Sequence, residues 1–233
     1  MDSYNNLVFL GTSHIARQSM EEVKRLIENE NPDLIALELD SKRVIGLMSK
    51  NRQKMKLADI RKIGLKGYFF SILGSWAERK LGKLVGVAPG SEMKQAIILA
   101  KKKNLQISLI DQDIEITLKR LSAAITWKEK LHFIGEVLKA LFVKKPEIDF
   151  DLRTVPDKKI IKKLTDKLKK EYPNVHKVLI DERNEVIASN LKQLMNSHKD
   201  KKILVIVGAG HVDDLIKLLK HGNESINYSF TVG

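Results

Sequence analysis

The chain has 233 residues, 43% of them hydrophobic, which is enough to bury one sizeable core and to form a single domain over 1–233; with no cysteine, disulfides, zinc–thiolate sites and iron–sulfur clusters are excluded. The net charge of +13 would suit nucleic acid or anionic lipid, yet aromatics are 6% and no motif interleaves them with basic residues, so no specific nucleic acid is expected. No apolar run approaches the ~20 residues of a membrane span, and the polar opening Met1–Asn6 lacks the basic start of a secretory signal, so a cytoplasmic chain is expected, with peripheral membrane association through basic helices as the alternative.

Taken in order, Leu7-Val-Phe-Leu10 predicts a buried strand that runs into Gly11-Thr-Ser-His14. Ser19-Met-Glu-Glu22 has the form of a capping box and predicts a helix to about Asn29, with Met20, Val23, Leu26 and Ile27 as its apolar stripe. Asn31-Pro32-Asp33 stops it. Leu34-Ile-Ala-Leu-Glu-Leu-Asp40 is the second strand, and a strand–helix–strand unit this short sets its strands parallel. Glu38 continues that apolar run. Either it is buried and paired or coordinated, or the strand ends at Leu37 and Glu38 meets solvent.

From Ser41 to Lys66 the sequence is basic and reads as helical, and 67–84 is rich in apolar and aromatic residues, as packing helix or as lid. Ser91 or a neighbour is expected to cap a helix over Met93–Lys102. Leu105–Ile110 predicts a third strand, followed by Asp111-Gln-Asp113 and a helix with Ile114, Thr117, Leu118 and Leu121 inward; Asp113 suits its N-cap. One or two helices follow to Val143, then a loop to Asp157. Lys158–Glu171 is basic and amphipathic, a pattern that fits either an anionic membrane surface or an ordinary solvated helix.

In the helix from about Asn174 to Asn196, the spacing from Val175, Val178 and Leu179 predicts apolar residues at 182 and 183. Glu182 and Arg183 stand there instead, and Asn190 shares their face. Charges on an inward face must be paired with each other or serve a site. Ile203-Leu-Val-Ile-Val207 is the last strand, apolar on both faces as in a parallel sheet. Gly208 and Gly210 are expected to let the backbone turn without Cβ cost, placing His211 at the start of a helix with Asp213 and Asp214 in its first turn. There the dipole favours neutral imidazole, the form that binds metal or accepts a proton. Two strands thus end in Gly-x-x-His.

Each of the four strands ends in a polar or small cluster: Gly11–His14, Glu38–Asp40, Asp111–Asp113 and Gly208–His211. If the strands are parallel, His14, Glu38, Asp111 and His211 share the crevice beyond their carboxyl ends. Two imidazoles and a carboxylate suit Mn²⁺, Co²⁺ or Zn²⁺ with positions open for water.

The stretches GTSHIARQSMEEV, PDLIALELDSKR, PGSEMKQAI, IDQDIEITLKR, LIDERNEVIASNL and VIVGAGHVDDLIKLL resemble the TraB family, the TraB/PrgY pheromone-shutdown proteins grouped with the TIKI metalloproteases and erythromycin esterases. The resemblance covers nearly the whole chain in the family's order. It implies an α/β fold with a largely parallel central sheet flanked by helices, a helical insertion between the third and last strands, and much helix over about 41–175. It implies a metal site at His14, Glu38 and His211, with Glu38, Glu182 and Arg183 as the catalytic set. Glu38 would be ligand or general base, Arg183 would stabilise an oxyanion, and Glu182 would orient it. Arg43, Glu92, Asp111, Arg120 and Asn190 would bind substrate. Gln112 stands where many members carry arginine, and Asn184 where aspartate is common after Glu-Arg. The implied activity is metal-dependent hydrolysis of a peptide, small amide or ester; sequestering a peptide without cleaving it is the other role the family suggests.

Overall fold

A computed structural model describes residues 2–13, 17–49, 90–129, 131–133, 135 and 157–221. Its centre is a five-stranded sheet: β1 (Asp2–Tyr4), β2 (Leu7–Thr12), β3 (Leu34–Leu37), β4 (Gln106–Leu109) and β5 (Ile203–Gly208), in the spatial order β1-β2-β5-β3-β4. β2, β5, β3 and β4 are mutually parallel, as the sequence predicts, whereas β1 is an antiparallel edge hairpin that Asp2-Ser-Tyr4 is too short and too polar to announce. The last strand in sequence is inserted between the first two parallel ones, with Leu7 and Leu34 both in register with Ile203. That placement explains its composition: all six residues of β5 are buried, so both of its faces must be apolar.

Helices cover both faces. On one, Phe9, Ala36, Val205 and Val207 pack against Ile187, Ala188 and Leu191 of one helix and Val212, Leu215 and Leu219 of another. On the opposite face, Leu10, Ile35, Leu37 and Ile206 meet Val23, Leu26 and Ile27 of α1 (Arg17–Asn29) and Met93, Ala96 and Ile97 of α3 (Ser91–Lys102). Each fully buried aliphatic side chain contributes roughly 1.5–3 kcal/mol, so this double cover fixes β5 firmly from both faces. Helices α4 (Ile114–Ala124), α5 (Lys158–Glu171) and α6 (Pro173–His176), a π-helical turn at Lys177–Asp181, and α7 (Glu182–Ser197) lie between β4 and β5, and α8 (Val212–His221) follows the last strand. This is the helical insertion between third and last strands. No helix among the described residues is long and apolar enough to cross a membrane.

Several local expectations are corrected. The Ser19-x-x-Glu22 box caps nothing: the helix already includes Arg17, and the buried Ser19 hydroxyl instead accepts a hydrogen bond from the Ser13 N–H at 2.9 Å, pinning the turn after β2. A neighbour of Ser91 does cap α3: the cap position is Gly90, in the left-handed region at φ 76°, and Ser91 itself is already helical. A Cβ there would also meet Leu47 of α2 (Ser41–Met48) at 2.8 Å, so conformation and space both call for glycine. Asp113 does cap α4, accepting from the Glu115 N–H. The readings for 50–89 and 136–156 lie outside the described residues.

Candidate functional site

β3 ends at Leu37, yet Glu38 is not released to solvent. Its N–H donates to the Ile206 carbonyl at 3.1 Å, which continues the ladder against β5 for one more residue and leaves the side chain 3% exposed. The carboxylate lands beside the end of β5, where Oε2 accepts from the Gly208 N–H at 2.6 Å. A buried carboxylate needs such partners. It has a second in Arg183, whose Nη2 donates to Oε1.

Arg183 arrives from the other side. The π-helical turn at Lys177–Asp181 inserts an extra residue per turn just upstream, so the α-helical phase drawn from Val175 and Val178 does not carry through to α7. Arg183 is drawn inward, its side chain 14% exposed, and Glu182, 17% exposed, turns to Arg120 instead, through two bonds of 2.6 and 3.0 Å. Glu182 therefore does not orient Arg183. That work falls to Asp111, which accepts from Arg183 Nε at 3.1 Å and Nη2 at 2.7 Å, and to the Leu179 carbonyl, which accepts from Nη1 at 3.1 Å. Burial disfavours the guanidinium charge, but Glu38 and Asp111 outweigh it and hold the Arg183 pKa above its ordinary value.

Asp111 also accepts from Arg43 Nη2. Arg43 belongs to α2, which starts directly after Asp40; the Asp40 carboxylate caps that helix through the Lys42 and Arg43 N–H groups and receives Arg43 Nε at 2.8 Å. Arg43 Nη2 further donates to the Glu38 carbonyl at 3.1 Å. Three carboxylates, Glu38, Asp40 and Asp111, are thus laced by two arginines drawn from two helices.

His211 completes the floor. Its carbonyl accepts from the Leu215 N–H, which places it at the cap of α8, and its ring is buried. Nδ1 lies 2.6 Å from Asn184 Oδ1, and Nε2 lies 3.5 Å from Glu38 Oε1. The glycines of the turn do not supply left-handed backbone, since Gly90 is the one described glycine there. The demand falls on Gly11: a Cβ on it would come within 3.0 Å of the Ala209 backbone and 3.1 Å of Val212, so its absence lets the two strand-end turns touch. Ala209 N–H donates to the Thr12 carbonyl and Thr12 Oγ1 to the Val207 carbonyl, locking them.

These groups line a cleft of about 440 Å³ formed by Thr12, Ser13, Glu38, Arg43, Ile161, Arg183 and the Gly208–His211 turn. It opens at the carboxyl ends of β2, β5 and β3, where the chain returns to insert β5, the position at which α/β sheets bind ligands. A smaller hollow of about 190 Å³, at the amino ends of the strands beside Asn5, Asn6 and Lys199, gathers no comparable set.

Of the residues singled out in the sequence, Glu38, Arg43, Asp111, Arg183 and His211 come together. His14 lies outside the described residues. Glu92 is buried in the first turn of α3 and is not among the residues that line the cleft; Arg120 is half exposed and pairs with Glu182; Asn190 donates to the Ile110 carbonyl and so braces the end of β4. Two participants, Asp40 and Asn184, are named in the sequence but given no role in the site. Asp40 has the signal of an Asp one residue before a helix, and Asn184 of a polar residue next to the out-of-pattern Glu182-Arg183.

For a metal ion, the described residues offer part of a site. Glu38 Oε1 and His211 Nε2 stand 3.5 Å apart, a spacing that ligands lying ~2 Å from one ion can take. Arg183 competes as a cation for the same oxygen, and no group of three His, Asp or Glu side chains able to hold a metal is found among the described residues.

The sequence profile described as the TraB/PrgY/gumN family matches residues 2–225. An uncharacterized protein of Methanocaldococcus jannaschii is 36% identical over 225 residues, covering 94% of this chain and 55% of that protein. A TraB domain-containing protein of Homo sapiens and its counterpart of Mus musculus are each 23% identical over 232 residues, covering 89% of this chain and 61% of theirs. The chain therefore spans somewhat more than half the length of these relatives.

Proposed function

We propose, from the premise that this chain belongs to the TraB/PrgY/gumN family, that it is a binding protein whose cleft holds a peptide or small polar molecule without cleaving it. The observation that supports this reading is the mutual pairing of the charges in the cleft floor. Arg183 is held by Glu38 and Asp111, Arg43 by Asp40 and Asp111, and Glu38 by Arg183 and the Gly208 N–H. Groups fixed in this way present donors and acceptors that need no reordering when a ligand arrives, which favours affinity. Ile161 and the backbone of the Gly208–His211 turn add an apolar contact and peptide groups on the walls.

A second reading, metal-dependent hydrolysis of a peptide, amide or ester, is favoured by the spacing of Glu38 Oε1 and His211 Nε2. In it Glu38, His211 and, by the family resemblance, His14 would hold Mn²⁺, Co²⁺ or Zn²⁺. Such an ion, when bound, supplies a water of lowered pKa. Arg183, fixed over Glu38, would set its charge beside a developing oxyanion.

The deciding experiment is calorimetric binding of a peptide library beside a cleavage assay on the same peptides, with chelator and with each of the three ions. Saturable binding that survives chelator, with no cleavage, is expected. Cleavage that disappears with chelator and returns with an ion would overturn the binding reading in favour of the hydrolase.

A further inference from the structure

We propose that Asn184 is a positioning residue of the cleft: its side-chain oxygen accepts the hydrogen bond of His211 Nδ1–H and so turns the lone pair of Nε2 toward the cleft and its ligand. The inference rests on the reading of this cleft as the functional site, but not on whether that site cleaves or only binds.

Neutral imidazole carries one N–H, and which nitrogen bears it is set by the hydrogen bond the other nitrogen makes. Asn184 is 2% exposed and its Oδ1 lies 2.6 Å from His211 Nδ1, a distance that calls for a proton between them. An amide oxygen only accepts, so the proton belongs to Nδ1. Nε2 then carries the lone pair of the ring, and it stands 3.5 Å from Glu38 Oε1. The same device, an imidazole N–H donated to a neighbouring oxygen, fixes ring orientation in many histidine sites.

The placement has a structural cause. Arg183 and Asn184 are consecutive on α7, in the first turn after the π-helical turn, and both reach the site, one to Glu38 and Asp111 and the other to His211. A carboxylate at 184 would orient the ring equally well. It would also add a fourth negative charge to Glu38, Asp40 and Asp111, against two arginines. The neutral amide orients His211 and leaves the charge of the floor unchanged.

The test is nitrogen-15 NMR of the full chain with labelled histidine, free of ligand and in chelator, with His211 assigned through bonds. A pyrrole-type, protonated Nδ1 is expected in the wild type. Asn184→Asp should keep it, and Asn184→Leu should lower the Nδ1-protonated fraction several-fold as Nε2–H takes its place. A pyridine-type Nδ1 in the wild type overturns the proposal, and so does an unchanged Nδ1 proton in a folded Asn184→Leu. Should Asn184→Leu fail to fold, the wild-type and Asn184→Asp spectra still decide. Failure of every peptide to bind would count against the proposed function and leave this proton where it is.

Discussion

Arg183 and Asp111, 72 positions apart in sequence, meet through two near-parallel hydrogen bonds, Nε to Oδ1 at 3.1 Å and Nη2 to Oδ2 at 2.7 Å. The contact ties α7 to the carboxyl end of β4 and sets the guanidinium over Glu38. Because Asp111 is almost wholly buried and Arg183 largely so, water cannot take the place of either partner.

Removing Arg183 should therefore be severe. Arg183→Leu leaves Glu38 and Asp111 short of a cation and is expected to cost about 3–5 kcal/mol in urea denaturation. Asp111→Asn and the double variant close a cycle whose interaction energy should be roughly 0.5–3 kcal/mol. Simple additivity would show that the two groups do not act as a pair.

Glu182, the immediate neighbour, should behave differently. Its partner Arg120 is half exposed, although Glu182 itself is only 17% exposed, so solvent screens the pair from the side of the arginine. Glu182→Ala and Arg120→Ala are each expected to change stability by less than ~1 kcal/mol, and the effect should shrink with added salt. A loss as large as that of Arg183→Leu would show that solvent does not screen this pair.

Gly11→Val tests the contact between the two strand-end turns. The added side chain would press on the Ala209 backbone and on Val212, neither of which is a flexible side-chain end that can swing away. A destabilisation of about 1–3 kcal/mol is expected from the thermal midpoint. Gly46→Ala, in open space on α2, serves as the control and should not lower it.

Glu129 offers a pH-dependent test away from the cleft. Its carboxylate accepts from the Thr126 N–H and hydroxyl and from the Asn174 N–H and side-chain amide, so it caps two helical segments at once. Burial raises its pKa, but these hydrogen bonds more than reverse that, and the net shift is downward. With the folded pKa below the unfolded value near ~4.3, its contribution is complete above that value and is lost as pH falls through the folded one. Glu129→Gln should thus cost about 1–3 kcal/mol at neutral pH. Its deficit should narrow as the pH falls below the ordinary carboxylate range; a constant deficit across that fall would refute the assignment.

β3 and β5 were legible because each is a short apolar run, as burial on both faces demands, and β2 and the edge strand β4 because apolar residues still dominate or alternate along them. Lys158–Glu171 was legible from its 3.6-residue spacing, and it forms as predicted. β1 was not, since its pairing with β2 comes from the hairpin at Asn5-Asn6 rather than from hydrophobic pattern. The Ser19 box failed because a capping signature is local, and the Ser19 hydroxyl was taken instead by a strand-end turn.

The sequence by itself determined which residues must be buried, and so the sheet, its covering helices and the carboxyl-edge gathering of Glu38, Asp111 and His211. It also marked Arg183, because a charge that breaks an apolar stripe needs a partner. Which partner was decided only by tertiary structure. Periodicity is read along a helix of constant pitch, and the π-helical turn at Lys177–Asp181 changes that pitch just before Glu182. Glu182 and Arg183 consequently part, one to Arg120 at the surface and the other to Glu38 and Asp111 in the cleft, and Asn184 is carried to His211. Hydrogen bonds between groups so distant in the chain depend on angles and distances of a few tenths of an ångström, and those exist only once the sheet and helices have packed.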